Sequence, residues 1–163
     1  MPVKKILFII LLVLGAYLLW RWWSGNAETA SRGQELVYDR LWVDHLPKTE
    51  TDEIKIFAAI TDEPIGIFQA TSVWRGAFEL FRYENQGDGK IVLMYPQTKE
   101  KERAAYRATK CSEAGFDFCM ELSGASRGGK RYYSQKGWEL GAHSARALES
   151  RVTDLVRGLP AAR

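Results

Sequence analysis

Read as a pattern of apolar and polar positions, the chain falls into three stretches with three different periods. Ile6 to Trp20 is an unbroken apolar run, ILFIILLVLGAYLLW. From Glu35 to Trp138 the dominant period is two. Ile54, Ile56, Ala58 and Ile60 alternate within EIKIFAAIT, and Phe116, Phe118, Met120 and Leu122 alternate with Asp117, Cys119, Glu121 and Ser123. Successive side chains on a strand point to opposite faces, so each set marks one buried face. Further strands are predicted over Arg40 to His45, Ile65 to Trp74, Ala77 to Glu84, Lys90 to Tyr95, Ala104 to Cys111 and Lys130 to Trp138. Turn residues separate them: Asp62-Glu63-Pro64, Asn85 to Gly89, Glu113-Ala114-Gly115 and Gly124 to Gly129. Beyond Trp138 the spacing becomes helical, with Leu148, Val152, Leu155, Val156 and Leu159 on one stripe. Ser144 can cap that helix, residues 144–157 form it, and Gly158 with Pro160 stop it.

These elements predict a mainly β protein: an N-terminal transmembrane helix, then an antiparallel meander of about seven or eight strands, with a C-terminal helix packed on it. Short strands joined by tight turns can curl into a barrel and so remove exposed sheet edges, while a strongly curled open sheet is the alternative. The arrangement resembles the lipocalin-type barrels in outline. The Gly-x-Trp of their first strand is absent, since Arg40 stands two residues before Trp42, and no family is assigned. The expected organisation is a signal anchor over 1–23, a linker over 24–34 and a β domain over 35–163.

The apolar run carries membrane signals. Fifteen helical residues rise only about 22 Å against a hydrocarbon core of roughly 30 Å, but extension to Trp23, with charged ends snorkelling, closes the gap. Lys4 and Lys5 precede it, Trp20 ends it, and Arg21, Trp22 and Trp23 follow, the amphipathic rings at the height of the headgroups. The charge asymmetry puts the N-terminus inside and the domain on the outer, periplasmic side of a single-pass cytoplasmic membrane protein. Cleavage after Ala27, giving a secreted domain, is the rival, because Gly25-Asn26-Ala27 offers small residues where a signal peptidase needs them. The linker spans about 40 Å at most.

Charge refines the picture. The net +3 arises from the anchor: of 23 Lys and Arg, Lys4, Lys5 and Arg21 are the excess, and the rest balance 20 Asp and Glu. A formally neutral domain lacks the summed field that draws in phosphate backbones, so nucleic acid is not expected as a partner.

Candidate chemistry is sparse. Gly124 to Lys130, GASRGGK, matches the start of a phosphate-binding loop but fails at Arg131, where Ser or Thr must hold magnesium, and continues as a strand where a helix is required. A flexible basic hairpin loop is expected instead, in which Arg127, Lys130 and Arg131 could meet anionic headgroups or a partner. The run Lys99 to Arg103 alternates in sign and reads as a solvated turn. Cys111 and Cys119 are the only cysteines and are expected to form a disulfide in an oxidising compartment. Register decides: a bridge is open if they lie opposite each other and hard if Cys111 faces Asp117, which leaves Cys119 on the diagonal. His45 and His143 are the whole imidazole supply and stand near no nucleophile motif. Trp42, Phe68, Trp74, Phe78, Tyr106, Phe118, Tyr133 and Trp138 supply more ring surface than a small core strictly needs; core filling is the plainer expectation, and an apolar pocket at a barrel mouth, near bends allowed by Gly66 and Gly76, is the functional one. The expected function is therefore non-enzymatic: binding of a lipid, another apolar small molecule or a protein partner, without cofactor or metal. A structural accessory subunit of a membrane or envelope assembly is the alternative, and an enzyme of unknown class the remote one.

Overall fold

The computed structural model describes residues 13–18, 36–49, 51–71 and 76–159. The chain divides into two compact units, Met1–Arg32 and Gly33–Arg163. In the first, residues 13–18 are helical and exposed. Most of the expected anchor, including Lys4, Lys5, Trp20, Arg21, Trp22 and Trp23, lies outside the described residues. Among the described residues no helix is long and apolar enough to cross a membrane.

The second unit is a closed antiparallel barrel in which eight strands pair in chain order. The strands are β1 (Arg40–Val43), β2 (Ile54–Ile60), β3 (Ile65–Thr71), β4 (Gly76–Gly87), β5 (Lys90–Met94), β6 (Lys101–Lys110), β7 (Phe118–Ser123) and β8 (Arg131–Ser134). Closure excludes the open-sheet alternative. The up-and-down order sends loops 44–53, 95–100 and 124–130 to one end, here called the mouth. It sends residues 36–39 and the turns after β2, β4 and β6 to the other end, the base.

Apolar side chains build two cores. The inner core fills the barrel with Trp42, Phe57, Phe68, Phe81, Tyr95, Met120 and Tyr132, all buried. The outer core lies between β1–β3 and the C-terminal helix: Leu41, Val43, Ile56, Ala58, Ile60 and Ile67 meet Leu148 and Val152. β2 is therefore buried on both faces, which is why its sequence, IKIFAAI, is nearly continuous in apolar residues. Its Ile54, Ile56, Ala58, Ile60 series faces the helix side, while Phe57 and Ala59 point inward. The helix (Ala145–Arg157) is capped by Ser144, whose hydroxyl accepts from Ala147 N, and stops at Gly158, as its sequence predicts.

The rings determine where glycine must stand. Gly66 pairs with Phe81 across β3 and β4, and a Cβ on Gly66 would lie 2.4 Å from Phe81 Cζ and 2.6 Å from the Ala58 carbonyl oxygen. Phe81 packs against Phe68 at 4.9 Å and Phe57 at 5.8 Å between centroids. Glycine here makes room for that ring rather than opening a mouth. The base is closed by its own residues: Trp42 Nε1 donates to the Val37 carbonyl at 2.9 Å, and the Tyr38 and Tyr106 hydroxyls lie 3.0 Å apart.

Several predicted boundaries shift. β8 ends at Ser134 rather than Trp138, because the chain turns at Gly137 (φ 86°) and carries Trp138 onto the outer core. The β1–β8 seam is consequently short, with Val43 opposite Tyr133, and Arg40 staples it by donating to the Gln135 carbonyl at 2.8 Å and pairing with Glu139 at 2.8 Å. β6 starts at Lys101, so three of the five residues of the supposed turn at Lys99 to Arg103 are strand.

The cysteines correct the register argument. Cys111 N donates to the Asp117 carbonyl at 2.9 Å, so the two cysteines lie on the diagonal that was expected to be hard to bridge. Cys111 and Cys119 nonetheless form a disulfide with Cα atoms 5.7 Å apart, inside the usual range of about 4.4–6.8 Å. Cys111 sits one residue past β6, and strand twist shortens one diagonal of a two-stranded pair.

Gly66→Ala is expected to destabilise the barrel by about 1–3 kcal/mol through overpacking, seen as a lower thermal midpoint. Combined with Phe81→Leu it should cost less than the sum of the two single changes; strict additivity would show that the ring does not set the glycine.

Candidate functional site

The mouth is organised by one cation. Arg127, in the loop between β7 and β8, reaches Glu79 of β4 (Nε to Oε2, 2.7 Å), Glu100 beside β6 (Nη2 to Oε2, 2.5 Å) and Glu102 of β6 (Nη1 to Oε1, 3.4 Å). Its guanidinium also lies over the Tyr95 ring, 3.8 Å from the centroid. The local reason lies in the strand period. Ala104, Tyr106 and Ala108 point into the barrel, so Glu102, two residues earlier, points toward the same mouth and requires a donor there. It accepts from Ser126 N at 3.0 Å, from the Ser126 hydroxyl and from the Tyr95 hydroxyl at 3.0 Å.

Burial is the largest influence on the Glu102 carboxyl and pushes it up, but the Ser126, Tyr95 and Arg127 contacts together hold it below the ordinary carboxylate range. Glu100 is lowered first by the Arg127 hydrogen bond and then by Thr98. Arg127 itself is raised, chiefly by Glu100, and stays charged. The Tyr95 phenol is pushed up by burial and then by Glu102.

The loop 124–130 is thus pinned rather than loose. Gly128, at φ 82°, passes so close to the core that a Cβ would lie 2.4 Å from Tyr132 Oη and 2.6 Å from Phe68 Cδ1. Gly129 N donates to Tyr132 Oη at 2.5 Å. Gly128 of GASRGGK serves this close approach over the barrel end, whereas a Cβ on Gly124 would meet the Arg103 carbonyl oxygen at 2.5 Å. Of its basic residues, Arg127 is committed to carboxylates, Arg131 pairs with both Glu113 oxygens at 2.6 and 2.7 Å, and Lys130 is exposed.

Beside the Arg127 cluster lies a groove of about 550 Å³ whose walls include Lys55, Phe68, Ala70, Ala77, Phe78 and Arg127. Phe78 is 46% exposed, the largest exposed ring of the barrel among the described residues. Lys55 has no ion-pair partner among the described residues, so the groove joins an apolar wall to an uncommitted cation.

The eight rings singled out from sequence do not form one pocket. Trp42, Phe68, Tyr106 and Phe118 belong to the inner core, whereas Tyr133 and Trp138 pack in the outer core around Phe116. Phe78 stands at the groove, and Trp74 lies outside the described residues. His45 sits between Asp44 (2.9 Å) and Asp52 (3.4 Å) at the mouth, and His143 contacts Asp62 at the base. Asp52 is lowered first by the Lys48 backbone amide and then by His45. Among the described residues no three metal-ligating side chains converge.

Sequence reasoning missed Glu79, Glu100, Glu102, Ser126, Tyr95 and Lys55. An acid at the inward position of an amphipathic strand was the available signal for Glu102. Compared with known proteins, the chain matches no family model, no curated protein and no solved structure.

Both glutamates have lowered folded-state values, so their pairing contributes stability above the unfolded value of about 4.3 and loses it as pH falls through the folded values. Arg127→Gln should therefore be less stable than wild type at pH 7, with the gap shrinking below about pH 4. Urea midpoints measured from pH 3 to 7 check this; a gap unchanged down to pH 3 would assign the effect to stacking on Tyr95 instead.

Proposed function

We propose that the protein is a membrane-tethered binding module, non-enzymatic, with its ligand groove at the barrel mouth. The tether is the anchor of residues 1–23, and the charge asymmetry around its apolar run favours a barrel on the outer side of a cytoplasmic membrane.

One observation carries the reading: a groove of about 550 Å³ joins apolar wall residues, including the exposed Phe78, to Lys55, a cation with no ion-pair partner among the described residues. An apolar chain with one acidic end, such as a fatty acid or lysophospholipid, matches both features. The ring-filled interior moves the ligand from the barrel lumen to its rim. That same filled interior favours a second reading, a structural accessory subunit that uses the groove to dock on a protein of a membrane or envelope assembly.

The test is photocrosslinking of the full chain in phosphatidylcholine membranes with a photoreactive fatty acid, followed by adduct mapping. Adducts on β3 and β4 near Ala70 and Phe78 are expected. Removing most of the Phe78 ring contact in Phe78→Ala should cut barrel adducts about tenfold, and Lys55→Glu should reduce them as well. Adducts confined to residues 6–23, with a stoichiometric protein co-purifying, would transfer the function to the accessory-subunit reading.

A further inference from the structure

The balanced charge of the β domain conceals a segregated one. On the outer face of β4, β5 and β6, away from the C-terminal helix, the strand period presents Arg82, Lys90, Lys101, Arg103 and Arg107, all exposed. The one carboxylate among the outward positions of these three strands is Glu84, and Glu121 follows on β7. None of the five cations has an ion-pair partner among the described residues. Arg107 lies directly opposite Glu121 in the ladder, yet the two do not pair.

The register sets these cations into a two-dimensional array. Arg82, Met94 and Lys101 form one cross-strand row, Glu84, Val92 and Arg103 the next, and Lys90 with Ala105 the third. The residues between the cations are small or aliphatic: Val92, Met94 and Ala105. Ala105 leaves a depression, and a groove of about 510 Å³ runs there between Lys90 and Arg103, with Ser123 and Gly124 on its far side. Unpaired like charges on one sheet face repel one another and cost stability, so they call for an external counter-charge.

We propose that this face docks on an anionic phospholipid bilayer, with a headgroup phosphate seated in the groove between Lys90 and Arg103. Three properties favour a lipid surface over a soluble anionic polymer. The cations spread over three strands rather than along a single line. The side chains between them are apolar and suit the acyl boundary beneath the headgroups. A linker of the length expected for residues 24–34 reaches about 40 Å at most, so a tethered barrel would stay near a bilayer. The proposal rests on the tether reading for that last point. Each Lys or Arg close to an anionic surface contributes on the order of fivefold to the docked fraction, and salt screens the attraction.

The test uses the full chain in nanodiscs of phosphatidylcholine, with or without phosphatidylglycerol, and reads lysine acylation site by site by mass spectrometry. Lys90 and Lys101 should label several-fold more slowly in discs containing phosphatidylglycerol, while Lys48 and Lys136, outside this face, label equally in both. High salt should abolish the protection. Arg103→Glu with Arg107→Glu should lower the docked fraction by at least about twenty-fold, returning Lys90 to its rate in phosphatidylcholine. Equal labelling of Lys90 in the two lipids overturns the proposal. So does protection of Lys90 by soluble polyphosphate without protection by phosphatidylglycerol, which would assign the face to an anionic polymer. Failure of the chain to enter discs of either composition contradicts the tether alone. Sedimentation of that chain with phosphatidylglycerol but not phosphatidylcholine vesicles would then sustain the face, and sedimentation with neither would overturn it.

Discussion

Closure of an eight-stranded sheet leaves an interior wide enough for side chains and little more, and aromatic rings occupy it here. That filling dictates much of the rest. Phe81 requires Gly66 to have no side chain; Phe68 and Tyr132 require the same of Gly128. The phenols of Tyr38, Tyr83, Tyr95 and Tyr132 are all pushed up, burial being the first cause in each. Each buried hydroxyl that closes the base finds an oxygen: Tyr38 and Tyr106 meet each other, and Tyr83 donates to the Ile60 carbonyl at 2.8 Å. With the lumen occupied, the two proposed binding surfaces, the groove at Phe78 and the cationic sheet face, both lie on the exterior.

Much of the architecture was legible because it follows from local periodicity. Strand alternation marked all eight strands, and the helix, with Ser144 and Gly158 at its ends, followed from its stripe. What escaped notice depends on which face of an element meets which neighbour. The Ile54 to Ile60 series is a buried face, but only tertiary placement shows that it faces the helix rather than the lumen. The cysteine register was legible as a choice between two pairings, while the twist that lets the diagonal one close was not.

The site was less legible, and for a physical reason. Arg127 appeared as one cation in a glycine-rich loop, and its partners Glu79, Glu100 and Glu102 are distant in sequence and converge only when the barrel closes. Lys99 to Arg103 reads as solvated from sequence because its charges alternate, yet alternation on a strand sorts charges by face, sending Glu102 to the Arg127 cluster and Lys101 and Arg103 outward. The same sorting explains how a domain of zero formal charge carries a cationic sheet. Net charge sums over all faces, whereas a surface or a ligand meets one.

The central claim is that rings fill the lumen and keep it dry, and the buried phenols report on this directly. In an ultraviolet titration of the folded chain, four of its seven tyrosines should stay un-ionised well above the usual phenol value of about 10 and release their protons only as the barrel unfolds. Reversible ionisation of all of them near pH 10 with the β signal of the far-ultraviolet spectrum intact would mean a wetted interior. It would contradict the account and return the lumen to consideration as the binding site.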